Sequence, residues 1–156
     1  MTFKQEYYAL KLQESIDKHP NWTPEQNEMY NGHSFKYETP RSATDIERII
    51  KEYCRMKGAV CTKVYSGGRP IVDDPAPGII KAKVKFIPST TRAGTSDLII
   101  GKDEKILFAE VKYGKDTQKP KQKTFQKEVE RCRCNYEIFR TLDEFQTIFK
   151  QHYETI

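Results

Sequence analysis

Apolar positions recur with helical spacing most clearly between Asp45 and Lys57, where Ile46, Ile49, Ile50, Tyr53 and Cys54 fall at i, i+3, i+4, i+7 and i+8, and Gly58 supplies a stop. This predicts an amphipathic helix. Ala59 to Tyr65 carries the β-branched and aromatic content of a strand, followed by a turn at Ser66-Gly67-Gly68 and a Pro/Asp/Gly-rich, mobile loop to Gly78. Lys81 to Ile87 alternates lysine with small or apolar residues, a half-exposed strand. Thr95 to Ile100 and Lys105 to Tyr113 are two more, joined by Gly101-Lys-Asp-Glu as an antiparallel hairpin. Pro120 opens a helix to Cys132 with Phe125, Val129 and Cys132 facing inward, and Tyr136 to Arg140 is a last strand. Thr141-Leu-Asp-Glu144 is a capping box ahead of Leu142, Phe145, Ile148 and Phe149, the stripe of a terminal helix.

Residues 1–40 read differently. Phe3, Tyr7 and Leu10 indicate one helix, and Thr23-Pro24-Glu25-Gln26 caps a short second one that stops near Asn31-Gly32. With four basic residues and six acids against a basic remainder, this segment is expected to be a helical or partly disordered extension, and 41–156 the main domain. A chain of 156 residues leaves no room for two full-sized domains.

No apolar run is long enough to span a bilayer and the start lacks a signal peptide's apolar segment, which points to the cytoplasm and away from a membrane. The four cysteines, spaced C-x6-C and C-x-C, lack zinc-site pairing and read as free, mostly buried thiols. The net charge of +5 is local: Lys112 to Lys127 holds six lysines against Asp116 alone, either a solvated face or a surface that tracks phosphates.

The candidate chemistry lies in Gly94-Thr-Ser-Asp97-Leu-Ile-Ile and Phe108-Ala-Glu110-Val-Lys112. Strand alternation puts Glu110 and Lys112 on one face, about 7 Å apart, with Leu107, Ala109 and Val111 on the other. Pairing through the Gly101 turn brings Asp97 to the same end of the sheet. Two carboxylates plus a backbone carbonyl, that of Val111, can hold Mg²⁺ beside a phosphate, and a lysine can position water or stabilise developing charge. The plainer reading is a solvent-exposed salt bridge with Asp97 as a turn residue; what weighs against it is two charges inside an otherwise apolar strand. Gln122 lies on the inward stripe of its helix with Phe125 and Val129, either meeting the site or capping a neighbouring strand's backbone. His33 and His152 look isolated, against a histidine-metal nuclease.

Asp97, with Glu110-Val111-Lys112 thirteen residues later, resembles the PD-(D/E)xK nuclease signature. The flanking R-A-G-T-S-D-L-I-I, F-A-E-V-K-Y-G-K-D, K-P-K-Q-K-T-F-Q and Y-E-I-F-R-T resemble its VRR-Nuc (virus-type replication-repair nuclease) branch, from about Ser42 to about Phe149. Ser96 stands where that family usually has proline. The resemblance implies a restriction-endonuclease-like α/β fold, a mixed β-sheet flanked by helices. It also implies a Mg²⁺-dependent DNA endonuclease, Mn²⁺ substituting, acting on branched or Holliday-junction-like DNA in replication, recombination or repair, often as a homodimer.

In that frame Asp97 and Glu110 bind metal with the Val111 carbonyl as a further ligand, Lys112 orients the attacking water, and Gln122 supports the site. A further acid on the first domain helix falls on Glu47 or Asp45, with Ala43 the remaining equivalent position. Glu47 is favoured, although Thr44-x-x-Glu47 reads equally as a capping box. Lys115, Lys119, Lys121 and Lys123 would track the DNA backbone, and Tyr65, Ser66 and Arg69 would approach it from the loop. The rival expectation is a non-catalytic DNA-binding module on the same fold; RNA as substrate is open.

Overall fold

Thr2, Thr23, Ser42 and Thr141 each precede a helix and accept a first-turn amide hydrogen bond, from Gln5 (3.3 Å), Gln26 (3.2 Å), Asp45 (3.1 Å) and Glu144 (3.2 Å). In the computed structural model the described residues are 1–34, 39–65, 69–72, 84–87, 89 and 91–154, with backbone alone at 31–34, 69–72 and 84–87. They form α1 (Phe3–Lys18), α2 (Pro24–Ser34), α3 (Ala43–Met56), β1 (Val60–Lys63), β2 (Arg69–Val72), β3 (Val84–Ile87), β4 (Leu98–Lys102), β5 (Lys105–Val111), α4 (Pro120–Arg131), β6 (Asn135–Phe139) and α5 (Leu142–Tyr153).

The main sheet has the order β1-β4-β5-β6. β1 and β4 are antiparallel (Cys61 opposite Ile100), as are β4 and β5 (Leu98 opposite Ala109), while β6 runs parallel to β5 (Phe108 opposite Tyr136). A parallel neighbour needs a crossover, and α4 supplies it. The hairpin expected at Gly101 is present, closed by Asp103 and Glu104, both at positive φ (48° and 63°), the conformation a two-residue hairpin turn requires.

The second strand pair departs from the sequence reading. Arg69–Val72, taken as loop, is β2, and it pairs antiparallel with β3 as a separate two-stranded sheet, so the lysine-alternating segment does not join the main sheet. Backbone hydrogen bonding, which Pro70 and the neighbouring glycines obscure in the sequence, decides this. The turn at 66–68, the loop at 73–78 and residues 81–83 lie outside the described residues.

One face of the sheet carries the main apolar core. Leu98, Ile100, Leu107 and Ala109 are fully buried against Ile46, Ile50 and Tyr53 of α3 and Phe145 and Phe149 of α5. Each such side chain contributes about 1.5–3 kcal/mol when fully removed from water. The opposite face is covered by α4, where Phe125 makes edge-to-face contacts with Phe108 (5.8 Å) and Tyr136 (6.2 Å), and Val129 is buried. Cys132, expected to face inward, is exposed, because the helix ends at Arg131 before completing that turn. Cys54 and Cys61 are buried free thiols, and Cys134 is partly exposed.

The boundary expected at residue 40 does not separate α1 from the core. Phe3 and Tyr7 are each 1% exposed within the main apolar cluster, with the Phe3 ring 5.0 Å from that of Tyr53. Glu6 takes hydrogen bonds from Tyr53 (3.1 Å), Lys57 (3.0 Å) and Gln146, and pairs with Lys150 at 2.6 Å. Although burial opposes its charge, these cations and donors hold its carboxyl at about 2. The contrast in charge between this segment and the basic remainder therefore does not mark α1 off from the core. α2 begins at its expected cap but runs on to Ser34. Among the described residues no helix is long and apolar enough to cross a membrane.

Candidate functional site

Asp97 immediately precedes β4, and extending the Leu98–Ala109 register by one residue sets it opposite Glu110. Its backbone carbonyl accepts from the Val64 amide (2.8 Å) and its Oδ2 accepts from the Val111 amide (2.9 Å), so one residue ties the ends of three strands together. The loop before it is held from two directions. Ser96, buried, donates its hydroxyl to the Leu98 carbonyl (3.2 Å), closing the turn that a proline would otherwise stiffen. Gly94 has φ +94°, with the backbone of Lys121 against it.

Glu110 and Lys112 project from β5 toward α4, as alternation requires, and neither is solvent-exposed in the ordinary sense: they are 0% and 3% accessible. Lys112 Nζ lies 2.9 Å from Glu110 Oε1 and donates to Gln122 Oε1 (3.2 Å) and Asp116 Oδ2 (3.4 Å). The exposed salt-bridge reading therefore falls for this pair. Burial acts to lower the Lys112 ammonium's pKa, but the Glu110 carboxylate outweighs it and raises the group above its ordinary value, so it is a firm cation at neutral pH. Gln122, at the third position of α4, donates Nε2 to Glu110 Oε1, while its Oε1 also accepts from the Lys119 amide (2.8 Å). The amide meets the site, and the backbone it caps is that of its own helix and not of a neighbouring strand.

Of the two candidate helix acids, Asp45 is at the cap and Glu47 faces the interior. The helix starts at Ala43 with Ser42 as cap, not at Thr44, and it is Asp45 that folds back onto the Ser42 hydroxyl and the Arg41 amide, each at 3.0 Å. Glu47 is thereby released from the capping role and points inward, 8% exposed. The Lys63 ammonium pairs with its Oε2, but off the hydrogen-bonding direction, so that this buried oxygen has no hydrogen-bond partner.

The charge balance shows at Asp97. Burial first, then the carboxylates of Glu110 and Glu47, push its carboxyl up from 3.8 to about 6, against the Val111 amide and Lys112. A folded pKa above the unfolded one means stability that is complete below about pH 4 and is lost as pH rises through about 6. Asp97→Asn is accordingly expected to stabilise the metal-free protein by about 2 kcal/mol at pH 8, and to leave it nearly unchanged at pH 4, as read by urea denaturation in EDTA. Equal stabilisation at both values would remove Asp97 from this electrostatic role.

Lys115, Lys119, Lys121 and Lys123 are all exposed, on the loop after β5 and the first turn of α4, which has no acid of its own. Arg92 and Thr124 line a shallow cavity with Lys121 nearby, although Arg92 is paired with Glu128 (2.9 Å from Nη2). Tyr65 is exposed, 5.3 Å from Lys63 Nζ; Ser66 and the side chain of Arg69 lie outside the described residues, as does that of His33. His152 sits on α5 against Asn135 Nδ2 (2.6 Å), not among the site residues.

Four contributors went unread in the sequence. Tyr136 donates its hydroxyl to Glu110 Oε2 (3.1 Å), Asp116 accepts from the Lys112 ammonium (3.4 Å), Lys63 pairs with Glu47, and Arg140 holds the loop after β5 through the carbonyls of Gly114 (2.9 Å) and Asp116 (2.8 Å). Only the position of Arg140 directly after a strand offered a signal. Hard carboxylate oxygens suit Mg²⁺, which is usually held by one or two of them and completes its shell with water and phosphate. Among the described residues no three acids, histidines or thiols form a ready-made coordination sphere. The fit rests instead on the donor chemistry: the carboxylates of Asp97, Glu110 and the buried Glu47 outnumber the Lys112 and Lys63 ammonium groups beside them, and the excess is felt at Asp97. Comparison with models of known families and with curated proteins finds no match to this chain.

Proposed function

We propose that this chain is a Mg²⁺-dependent DNA endonuclease on a restriction-endonuclease-like fold, similar to the VRR-Nuc branch. What carries the reading is the convergence of Asp97 and Glu110 at the ends of β4 and β5, where burial and then the carboxylates of Glu110 and of Glu47 on α3 raise the Asp97 carboxyl to about 6, with a fixed ammonium beside them. Such surplus negative charge calls for a cation. The mixed sheet flanked by helices and the strand, strand, helix placement of Asp97, Glu110-x-Lys112 and Gln122 agree with what the resemblance implies.

Asp97 and Glu110 would hold the metal, with the Val111 carbonyl and Glu47 adjoining. When bound, Mg²⁺ supplies Lewis-acid activation of the phosphate and of an attacking water. Lys112, already charged, acts as a donor that orients water and stabilises charge developing on the phosphate, not as a base. Gln122 keeps Glu110 and Lys112 in register. The lysines at 115, 119, 121 and 123 supply sequence-independent phosphate contacts. Branched DNA as substrate, and a homodimer cutting two strands, follow from the resemblance.

The test is nicking of supercoiled plasmid and of a four-way DNA junction in Mg²⁺, Mn²⁺ or EDTA. Wild-type cleavage is expected only with metal, falling about 100- to 1,000-fold in Glu110→Ala and Lys112→Ala, as loss of transition-state charge stabilisation does. Cleavage undiminished in both variants would refute the site. Binding of the junction with no cleavage in any metal would favour the non-catalytic DNA-binding module, and cleavage of an RNA junction alone would change the substrate.

A further inference from the structure

The hydrogen bonds around Glu110 are asymmetric. Oε1 takes two donors, Gln122 Nε2 and Lys112 Nζ (2.9 Å), whereas Oε2 takes one, the Tyr136 hydroxyl (3.1 Å). A carboxylate offers about four lone-pair directions, two on each oxygen. Three are filled, and the fourth lies on Oε2, the oxygen that Tyr136 holds. The ring cannot drift. Tyr136 is 6% exposed, lies on the α4 side of β6 opposite Phe108, and meets Phe125 edge on.

We propose that Tyr136 is a positioning residue for Glu110: its hydroxyl aims the one remaining lone pair of Oε2, so that a divalent cation meets this carboxylate through a single oxygen. This inference rests on the metal-dependent reading of the site. Burial, reinforced by the Glu110 charge, pushes the phenol well above its ordinary range, so Tyr136 is a donor throughout the working pH range. Gln118 lies beside the hydroxyl in turn, close enough to act on its charge, and its Nε2 donates to Gln126 Oε1 (2.7 Å). The result is a chain from the loop before α4, through a β6 side chain, to the β5 carboxylate. Partners of this kind fix how a ligand presents its oxygen, and their loss typically lowers metal affinity about 10–100-fold.

Calorimetric titration with Mn²⁺ alone, without DNA, reads this directly. Tyr136→Phe keeps the ring and its packing and deletes only the donor. It is expected to bind Mn²⁺ about 10–100-fold more weakly than wild type, with junction cleavage restored by raising Mg²⁺ in proportion. Gln118→Leu, which leaves Tyr136 in place, should weaken Mn²⁺ in the same direction by less, and keeps the test open if the first variant folds poorly. A wild type that binds Mn²⁺ and cleaves, with both variants binding equally well, would overturn the role of Tyr136 alone. A wild type that neither binds Mn²⁺ nor cleaves would overturn the nuclease reading and this inference with it.

Discussion

Lys112→Met is expected to destabilise the protein by about 3–5 kcal/mol, the usual consequence of stranding one member of a buried ion pair, and to abolish cleavage. Glu110 would keep the Gln122 and Tyr136 donors but lose the cation paired with it, inside a volume with no solvent access. The companion measurement makes the cause visible. Glu110→Gln combined with Lys112→Met removes both charges at similar volume, and replacing a buried pair in this way is often neutral. The double variant should therefore unfold close to wild type in urea while remaining inactive on DNA. Should it instead lose as much stability as Lys112→Met alone, the pair's cost would lie in packing and not in charge.

Gly94→Ala is expected to cost about 2–4 kcal/mol, from overpacking and backbone strain together. A Cβ there would stand 2.6 Å from both the carbonyl carbon and oxygen of Lys121, at φ +94°. Those are main-chain atoms that no rotamer can move aside. Relief has to come from shifting the 91–97 loop away from α4, which carries Asp97 away from Gln122 and Glu110. A displacement near 1 Å can cost about 100-fold in rate, so cleavage should fall further than stability alone explains. Gly94→Asn separates the causes: asparagine tolerates positive φ but has the same Cβ, so it should be equally impaired. Recovery by asparagine would show that strain, not the clash, matters. Both variants are checked by urea denaturation and junction cleavage in parallel.

How much of this was legible in the sequence depended on the range of the interaction. The stripe from Ile46 to Cys54, the Gly101 hairpin and the Thr141 cap are local patterns, and each appears as read. Asp97, Glu110, Lys112 and Gln122 were found because alternation and helical period are also local. Glu47 was ambiguous because Thr44-x-x-Glu47 reads as a capping box; the helix is capped at Ser42 instead, a shift of two positions that reverses whether the carboxylate is spent on a cap. Tyr136 carries no signal beyond that of a core aromatic, because its partner is set by strand pairing 26 residues away. Glu6 is the extreme case. Its partners include Gln146, 140 residues along the chain, so no window on the first helix could have placed it inside.

The parallel pairing of β5 with β6 has a consequence for how the protein is made. The β4–β5 hairpin closes over two residues, a step of microseconds that can occur as soon as it emerges from synthesis. By then Asp97, Glu110 and Lys112 are already neighbours, yet Tyr136 and the lid of α4 follow later in the chain and dock only when the crossover is complete. Non-local closure of that kind is the slow step of assembly. Half-made copies would thus carry the charged trio without the wall that orders it, which delays the competent centre until the C-terminal third of the polypeptide has arrived.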